Sequence, residues 1–259
     1  MIMSRVSDRL NRLSYSQTFV MSNKARDMKA AGIDVISLTL GEPDFDVPDN
    51  IKKAAFDAIN ENYSHYSPVP GFLELRKAIV NKLKRDNNLD YKPTQICVAN
   101  GAKQNIFNVL AALVNEGDEV ILPAPYWVSY DEMVKINGGV SVFIETNIDT
   151  EFKMTAEQLE AAITPKTKAV LYSSPCNPSG SYYTREELEK IANVMAKYPD
   201  VVIISDEIYE FINYDGEHVS IAEFPQVFNQ TAVINGMSKA FAMTGWRIGY
   251  SACPEWLAD

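Results

Sequence analysis

The order of apolar runs predicts an α/β fold: a three-layer domain with a mostly parallel sheet between helices. Short β-branched runs alternate with helical patterns from about Asp49 onward, and readable helix starts stand between them. Polar residues collect directly after the runs, which is where an open parallel sheet presents its ligand-binding edge. With 46% hydrophobic residues in 259, the chain has enough apolar material for a sizeable core.

The N-terminal stretch carries Arg5, Arg9 and Arg12 at helical spacing. It lacks a continuous apolar core of signal-peptide length, and Asp8 interrupts the basic run, so it reads as mature protein, with a mitochondrial presequence as the alternative. GEPDFDVPDN, residues 41–50, is a loop by its prolines and acidic residues and the nearest thing to a boundary. HYSPVPG, residues 65–71, is a second loop, ahead of the helical pattern FLELRKAIVNKLK. Strands are expected at QICVA (95–99), EVILP (119–123), KAVLYSS (168–174), VVIIS (201–205) and TAVIN (231–235). QNIFNVLAALV reads as a helix after the first of these. Thr155 with Gln158, and Thr184 with Glu187, have capping-box spacing ahead of LEAAI and LEKIANVMAKY. Leu188, Ile191 and Met195 fall on one helix face, which is a sheet-covering stripe.

Composition narrows the function. A net charge of −10 offers no clustered basic face for nucleic acid or anionic membrane, so small molecules are the expected partners. No window reaches the length of apolar sequence that a membrane span needs. The three cysteines, Cys97, Cys176 and Cys253, are odd in number and far apart, which suits a reducing, cytoplasmic compartment rather than a disulfide framework. No cluster with metal-ligand spacing is evident. GMSKA, residues 236–240, has part of a nucleophile-elbow pattern, but Ala240 replaces the second glycine and only His65 and His218 are available as bases.

The residues directly after each expected strand are more informative. After QICVA come Gly101, Ala102 and Lys103, small residues and a cation at a helix start where free N–H groups meet anions. Trp127 follows EVILP, Asn177 follows KAVLYSS, Asp206 and Tyr209 follow VVIIS, and Ser238 and Lys239 follow TAVIN. Each has an ordinary reading alone: a tight turn at Gly101, a turn-initiating Asn177, Asp206 as a helix cap, Trp127 as core and Lys239 as a solvated cation. Together they form an anion cradle, an aromatic plate, an amide, a carboxylate, a phenol and a lysine. A phosphorylated, nitrogen-containing aromatic aldehyde such as pyridoxal 5'-phosphate would use all of them.

The series LGEPDF, HYSPVPG, NGAKQ, PYWVSY, SPCNPSG, SDEIYE and SKAFAMTGWRIGY resembles, in order and interval, the fold-type I pyridoxal-phosphate enzymes. The resemblance is to the class I aminotransferases, in their aspartate/aromatic branch. It implies that Lys239 links covalently to the cofactor and later moves the substrate proton, with Asp206 and Tyr209 as further catalytic residues. Asp206 would pair with the ring nitrogen, and Tyr209 and Asn177 would hydrogen-bond the ring's phenolic oxygen. Trp127 would stack on the ring, while Gly101, Ala102, Lys103, Ser238 and Arg247 surround the phosphate. Gly41 would offer backbone to the substrate carboxylate, beside Trp127 and Asn177, and Tyr66 would reach the cofactor of a second subunit, so a homodimer is expected. Residues 1–48 would then be an N-terminal arm and part of a small domain, and residues 49–259 the large cofactor-binding domain. The family's carboxylate-binding arginine, beyond the large domain, has no counterpart before Asp259, so the 259-residue chain alone is expected to be poorly active. The implied reaction is transamination between an amino acid, aspartate first and aromatic second, and a 2-oxo acid such as 2-oxoglutarate. Alternatives are a lyase or synthase of the same fold, or a binding module that holds the cofactor without turnover.

Overall fold

The apolar runs form the expected strands, and two further strands complete the sheet. The computed structural model describes residues 6–15 and 17–259; Arg5, part of the basic N-terminal pattern, lies outside the described residues. Helices α1 (Asp8–Asn11), α2 (Gln17–Ala30), α3 (Asp49–Asn60) and α4 (Leu73–Asn87) precede β1 (Ile96–Ala99) and α5 (Ala102–Leu113). Then come β2 (Glu119–Ala124), α6 (Ser129–Ile136), β3 (Val140–Glu145), α7 (Ala156–Ala162) and β4 (Thr167–Ser173). The chain continues through α8 (Arg185–Met195), β5 (Val202–Asp206), β6 (Thr231–Gly236), β7 (Gly249–Ala252) and α9 (Glu255–Ala258).

The sheet has seven strands in the order β1-β7-β6-β5-β4-β2-β3. Strands β2 to β6 pair in parallel, and β7 runs antiparallel to both β6 and β1. The two strands absent from the expectation are β3 and β7. β3 lies at the sheet edge with a largely unburied VSVFIE sequence, and β7 is the short run GYSA. Neither carries a continuous apolar signal of its own. Pairing with better-marked neighbours decides both.

Side chains on a strand alternate between faces, and here the alternation separates two cores. Val120, Leu122, Ala169, Leu171, Ile204 and Ile234 pack against Ile106 and Leu110 of α5 and Tyr130 and Val134 of α6. Ile121, Val170, Tyr172 and Ile203 face the opposite way, onto Leu159 of α7 and Leu188, Ile191 and Met195 of α8. Helices on both faces give the three-layer α/β architecture. Both capping boxes form: Thr155 Oγ1 accepts from Gln158 N at 3.2 Å, and Thr184 Oγ1 from Glu187 N at 3.3 Å. A third cluster joins Ile79 and Leu83 of α4 to Ile96, Val233, Tyr250 and Ala252 at the β1–β7 end of the sheet. The N-terminal segment reaches α6 through the backbone N–H of Ser14, which donates to Glu132 at 2.8 Å. Among the described residues, no helix is long and apolar enough to cross a membrane.

Candidate active site

At the carboxyl ends of β2, β4, β5 and β6 the backbone leaves the sheet in loops that surround one cleft of about 880 Å³. Gly41, Ala102, Lys103, Trp127, Asn177, Asp206, Tyr209, Ser238, Lys239 and Arg247 all line it. Gly101 lies directly behind Arg247. Tyr66 does not line the cleft either, and its side chain is fully exposed.

Asp206 is the last residue of β5 and only 4% exposed. Its Oδ2 accepts a hydrogen bond from the Tyr130 hydroxyl at 2.6 Å, and its Oδ1 accepts from the backbone N–H of Ile208 at 3.3 Å. The capping reading and the cleft reading are therefore both present, one on each oxygen, although no regular helix follows. Burial pushes the Asp206 carboxyl up to about 6, against the lowering effect of those two donors. No basic side chain pairs with it among the described residues. A buried carboxylate of this kind calls for a cation.

Tyr130 is the site residue that sequence reading passed over. It occurs in the quoted PYWVSY, three positions after Trp127 at the start of α6, and that spacing turns it under the tryptophan. The two rings meet edge to face at 5.5 Å and 88°. It is buried to 1% exposure, with the hydroxyl as its only polar end.

Lys239 follows β6 and donates from Nζ to the carbonyl oxygen of Gly41. The same nitrogen lies 5.7 Å from the centre of the Tyr209 ring. Burial lowers its pKa and Arg247 adds to that, with Glu42 opposing, so the neutral amine is more accessible than on an ordinary surface lysine. Tyr209 in turn receives the Asn177 amide at 3.5 Å, and its phenol is raised by burial and by the Asp206 charge.

The other end of the cleft is cationic. Gly101 caps α5 at φ +87°, ψ 165°, a conformation almost confined to glycine. A Cβ built there would sit 2.3 Å from Arg247 Nη2, so the missing side chain is the space that the guanidinium occupies. Arg247 is itself anchored to backbone, Nη1 donating to Thr244 O at 2.7 Å and Nη2 to Asn100 O at 3.2 Å. The N–H groups of Ala102 and Lys103, at the first two positions of α5, have no carbonyl to reach within the helix. Lys103 Nζ stands 5.0 Å over the Trp127 ring, and its pKa is lowered by burial and by Arg247. Backbone donors and two cations at one end suit an oxyanion group.

Behind the cleft the fold gathers one further cluster of titratable side chains. Sequence spacing shows none, yet ligand-type atoms of Glu207, Glu210 and His218 come within 4.8 Å of one another. The spacing hides the group because the turn after β5 and a later loop supply its members. Their oxygens are already engaged, Glu207 by Ser205, Ser220 and His218, and Glu210 by Lys82 and Asn87. The group is a saturated network of charges.

The family model described as aminotransferase class I and II matches residues 33–259. A probable aspartate/prephenate aminotransferase of Rhizobium leguminosarum bv. phaseoli is 51% identical over 254 residues, 97% of this chain and 64% of that protein. An aspartate aminotransferase of Bacillus sp. (strain YM-2) is 53% identical over 249 residues, 95% of this chain and 63% of that protein. Among solved structures, the aspartate aminotransferase from Rhizobium meliloti superposes with a TM-score of 0.95 at 44% identity, covering 98% of this chain and 64% of that one. The Thermus thermophilus aspartate aminotransferase with maleate gives 0.95 at 42% identity, covering 99% of this chain and 66% of that one. The chain thus spans a little under two thirds of the length of the curated relatives it matches.

Proposed function

Since the chain belongs to the class I and II aminotransferase family, we propose that the cleft holds pyridoxal 5'-phosphate and that the protein transfers an amino group from an amino acid to a 2-oxo acid. Aspartate is the first choice of donor, an aromatic amino acid the second, and 2-oxoglutarate a representative acceptor. The observation that carries this reading is the convergence of an amine, a phenol with its amide partner, a buried carboxylate without a cation and an anion cradle in one cleft.

The residues present fit the cofactor. Gly101, Ala102, Lys103, Ser238 and Arg247 would hold its phosphate, with the Arg247 guanidinium and the α5 N–H groups as donors. Asp206, with no other cation beside it, would hold a proton on the ring nitrogen. Trp127 would cover the ring, and Tyr209 with Asn177 would bond its phenolic oxygen. When bound, pyridoxal phosphate supplies an aldehyde that captures amines and a ring that withdraws negative charge. Lys239 would have two tasks: its lowered pKa favours the neutral, nucleophilic amine that would hold the cofactor, and the same amine would take the proton from the substrate Cα and return it elsewhere. The Gly41 carbonyl, already bonded to Lys239 Nζ, places residues 41–42 at the cleft mouth. Gly41, Trp127 and Asn177 would there meet the substrate carboxylate.

The fully exposed Tyr66 gives a role only if a second subunit supplies the cofactor it reaches, so a homodimer belongs to this proposal. So do cytoplasmic residence and the division into an arm with part of a small domain, 1–48, and a cofactor domain, 49–259.

The test is to supply the full-length protein with pyridoxal phosphate, aspartate and 2-oxoglutarate and to measure oxaloacetate and glutamate. Stoichiometric formation of both, abolished in Lys239→Ala, supports the reading. A protein that binds the cofactor but releases only deaminated or decarboxylated product would replace it.

A further inference from the structure

Asp206 and Tyr209 lie on one turn of backbone, in which Glu210 N donates to Glu207 O at 3.0 Å and Ile212 N to Tyr209 O at 2.8 Å. The turn places Asp206 and Tyr209 toward the cleft. Glu207 and Glu210, each one position later, point the other way and are 1% and 7% exposed. Two carboxylates buried directly behind the site need partners, and these come from three parts of the chain: the end of β5, the loop at 218–220 and helix α4.

Glu207 Oε1 accepts from Ser205 Oγ at 2.9 Å and from Ser220 Oγ at 2.7 Å, and Oε2 pairs with His218 Nε2 at 3.0 Å. Glu210 pairs with Lys82 through one oxygen and accepts from Asn87 Nδ2 at 3.0 Å on the other. Lys82 closes the set by donating to Asn87 Oδ1 at 2.8 Å. The strand before the turn, the loop after it and helix α4 are thereby all fastened to its rear face. Apolar residues would fill the same volume with less desolvation cost. What ions and directed hydrogen bonds add is a fixed angle for the turn, and with it for the two cleft residues on its front.

We propose that Glu207 and His218, backed by Glu210 and Lys82, are positioning residues that fix Asp206 and Tyr209 from behind, and that His218 affects cofactor binding through Asp206. This rests on the reading of the cleft as a pyridoxal-phosphate site. The Glu207 carboxylate also opposes ionisation of Asp206. His218, whose Nε2 lies 3.0 Å from Glu207 Oε2, balances the buried Glu207 charge and holds that side chain in place behind Asp206. His218 has an elevated pKa despite its burial, because Glu207 and Glu210 outweigh burial and the opposing Lys82.

A double-mutant cycle on the full-length protein tests the proposal. The dissociation constant for pyridoxal phosphate is measured by quenching of intrinsic fluorescence for wild type, His218→Gln, Asp206→Asn and the double variant. Urea unfolding of each cofactor-free form checks that it is folded. His218→Gln is expected to weaken binding about tenfold in the wild-type background and less than about twofold when Asp206 is already Asn. If His218→Gln does not fold, Glu207→Gln takes its place in the same cycle. An equal loss in both backgrounds, or no loss in either, would overturn the positioning role while leaving the cofactor reading intact. A folded wild type that binds no pyridoxal phosphate would overturn both.

Discussion

Replacing Asp206 by Asn is expected to stabilise the cofactor-free protein at neutral pH while disabling it. Asp206 is 4% exposed, and burial raises its pKa from the ordinary 3.8 to about 6. Between those two values the folded chain holds a proton that the unfolded chain has released, so stability falls as pH rises through the window. Above about 6 the penalty is complete, and the gap from 3.8 to about 6 corresponds to about 3 kcal/mol. Asparagine cannot ionise. It keeps an oxygen for the Ile208 N–H and an amide that can donate to the Tyr130 hydroxyl oxygen, so both neighbours retain partners. Urea unfolding of both cofactor-free proteins at several pH values reads the effect. The advantage of Asp206→Asn should grow by about 3 kcal/mol from below pH 4 to pH 8, and bound cofactor should shrink it by restoring a cation beside the wild-type carboxylate. Turnover should meanwhile fall by orders of magnitude. A stability difference that does not change with pH would show that Asp206 is not held as a strained, uncompensated carboxylate, and nothing would then call for a cation beside it.

Tyr130→Phe removes the hydroxyl donor from Asp206 and leaves the ring packing in place. A hydrogen bond to a charged group is worth about 1.5 to 3 kcal/mol, so pyridoxal phosphate binding should weaken by about tenfold or more, and unchanged affinity in a fluorescence titration would remove Tyr130 from the site. Gly101→Ala forces a Cβ against the Arg247 guanidinium in a backbone conformation that costs about 1 to 3 kcal/mol for a side chain. It should lower both melting temperature and cofactor affinity, and inorganic phosphate should lose its ability to compete for the site; retained phosphate competition would place the anion elsewhere.

The parallel strands were legible because burial on both faces demands continuous β-branched runs such as VVIIS and TAVIN. The helices α7 and α8 were legible because Thr155 and Thr184 satisfy backbone groups locally. β3 and β7 were not, since an edge strand and a four-residue antiparallel strand owe their existence to pairing partners distant in sequence. The cleft residues could be read as a set because a parallel sheet delivers each strand's successor residues to one edge. Tyr130 escaped because its function is a contact with Asp206 across 76 positions, and Glu207 and Glu210 escaped because their partners lie on α4 and in the loop at 218–220. Their signal was nonetheless present in DEIYE: carboxylates at two positions, each directly after a residue assigned to the cleft.

The central claim is that Lys239 carries the cofactor. The most direct measurement is borohydride reduction of the full-length protein loaded with pyridoxal phosphate, followed by proteolysis and mass mapping. A single pyridoxyl group on Lys239 is the expected result. A group on Lys103, the other lysine of the cleft, or on no lysine of a folded and loaded protein, would contradict it.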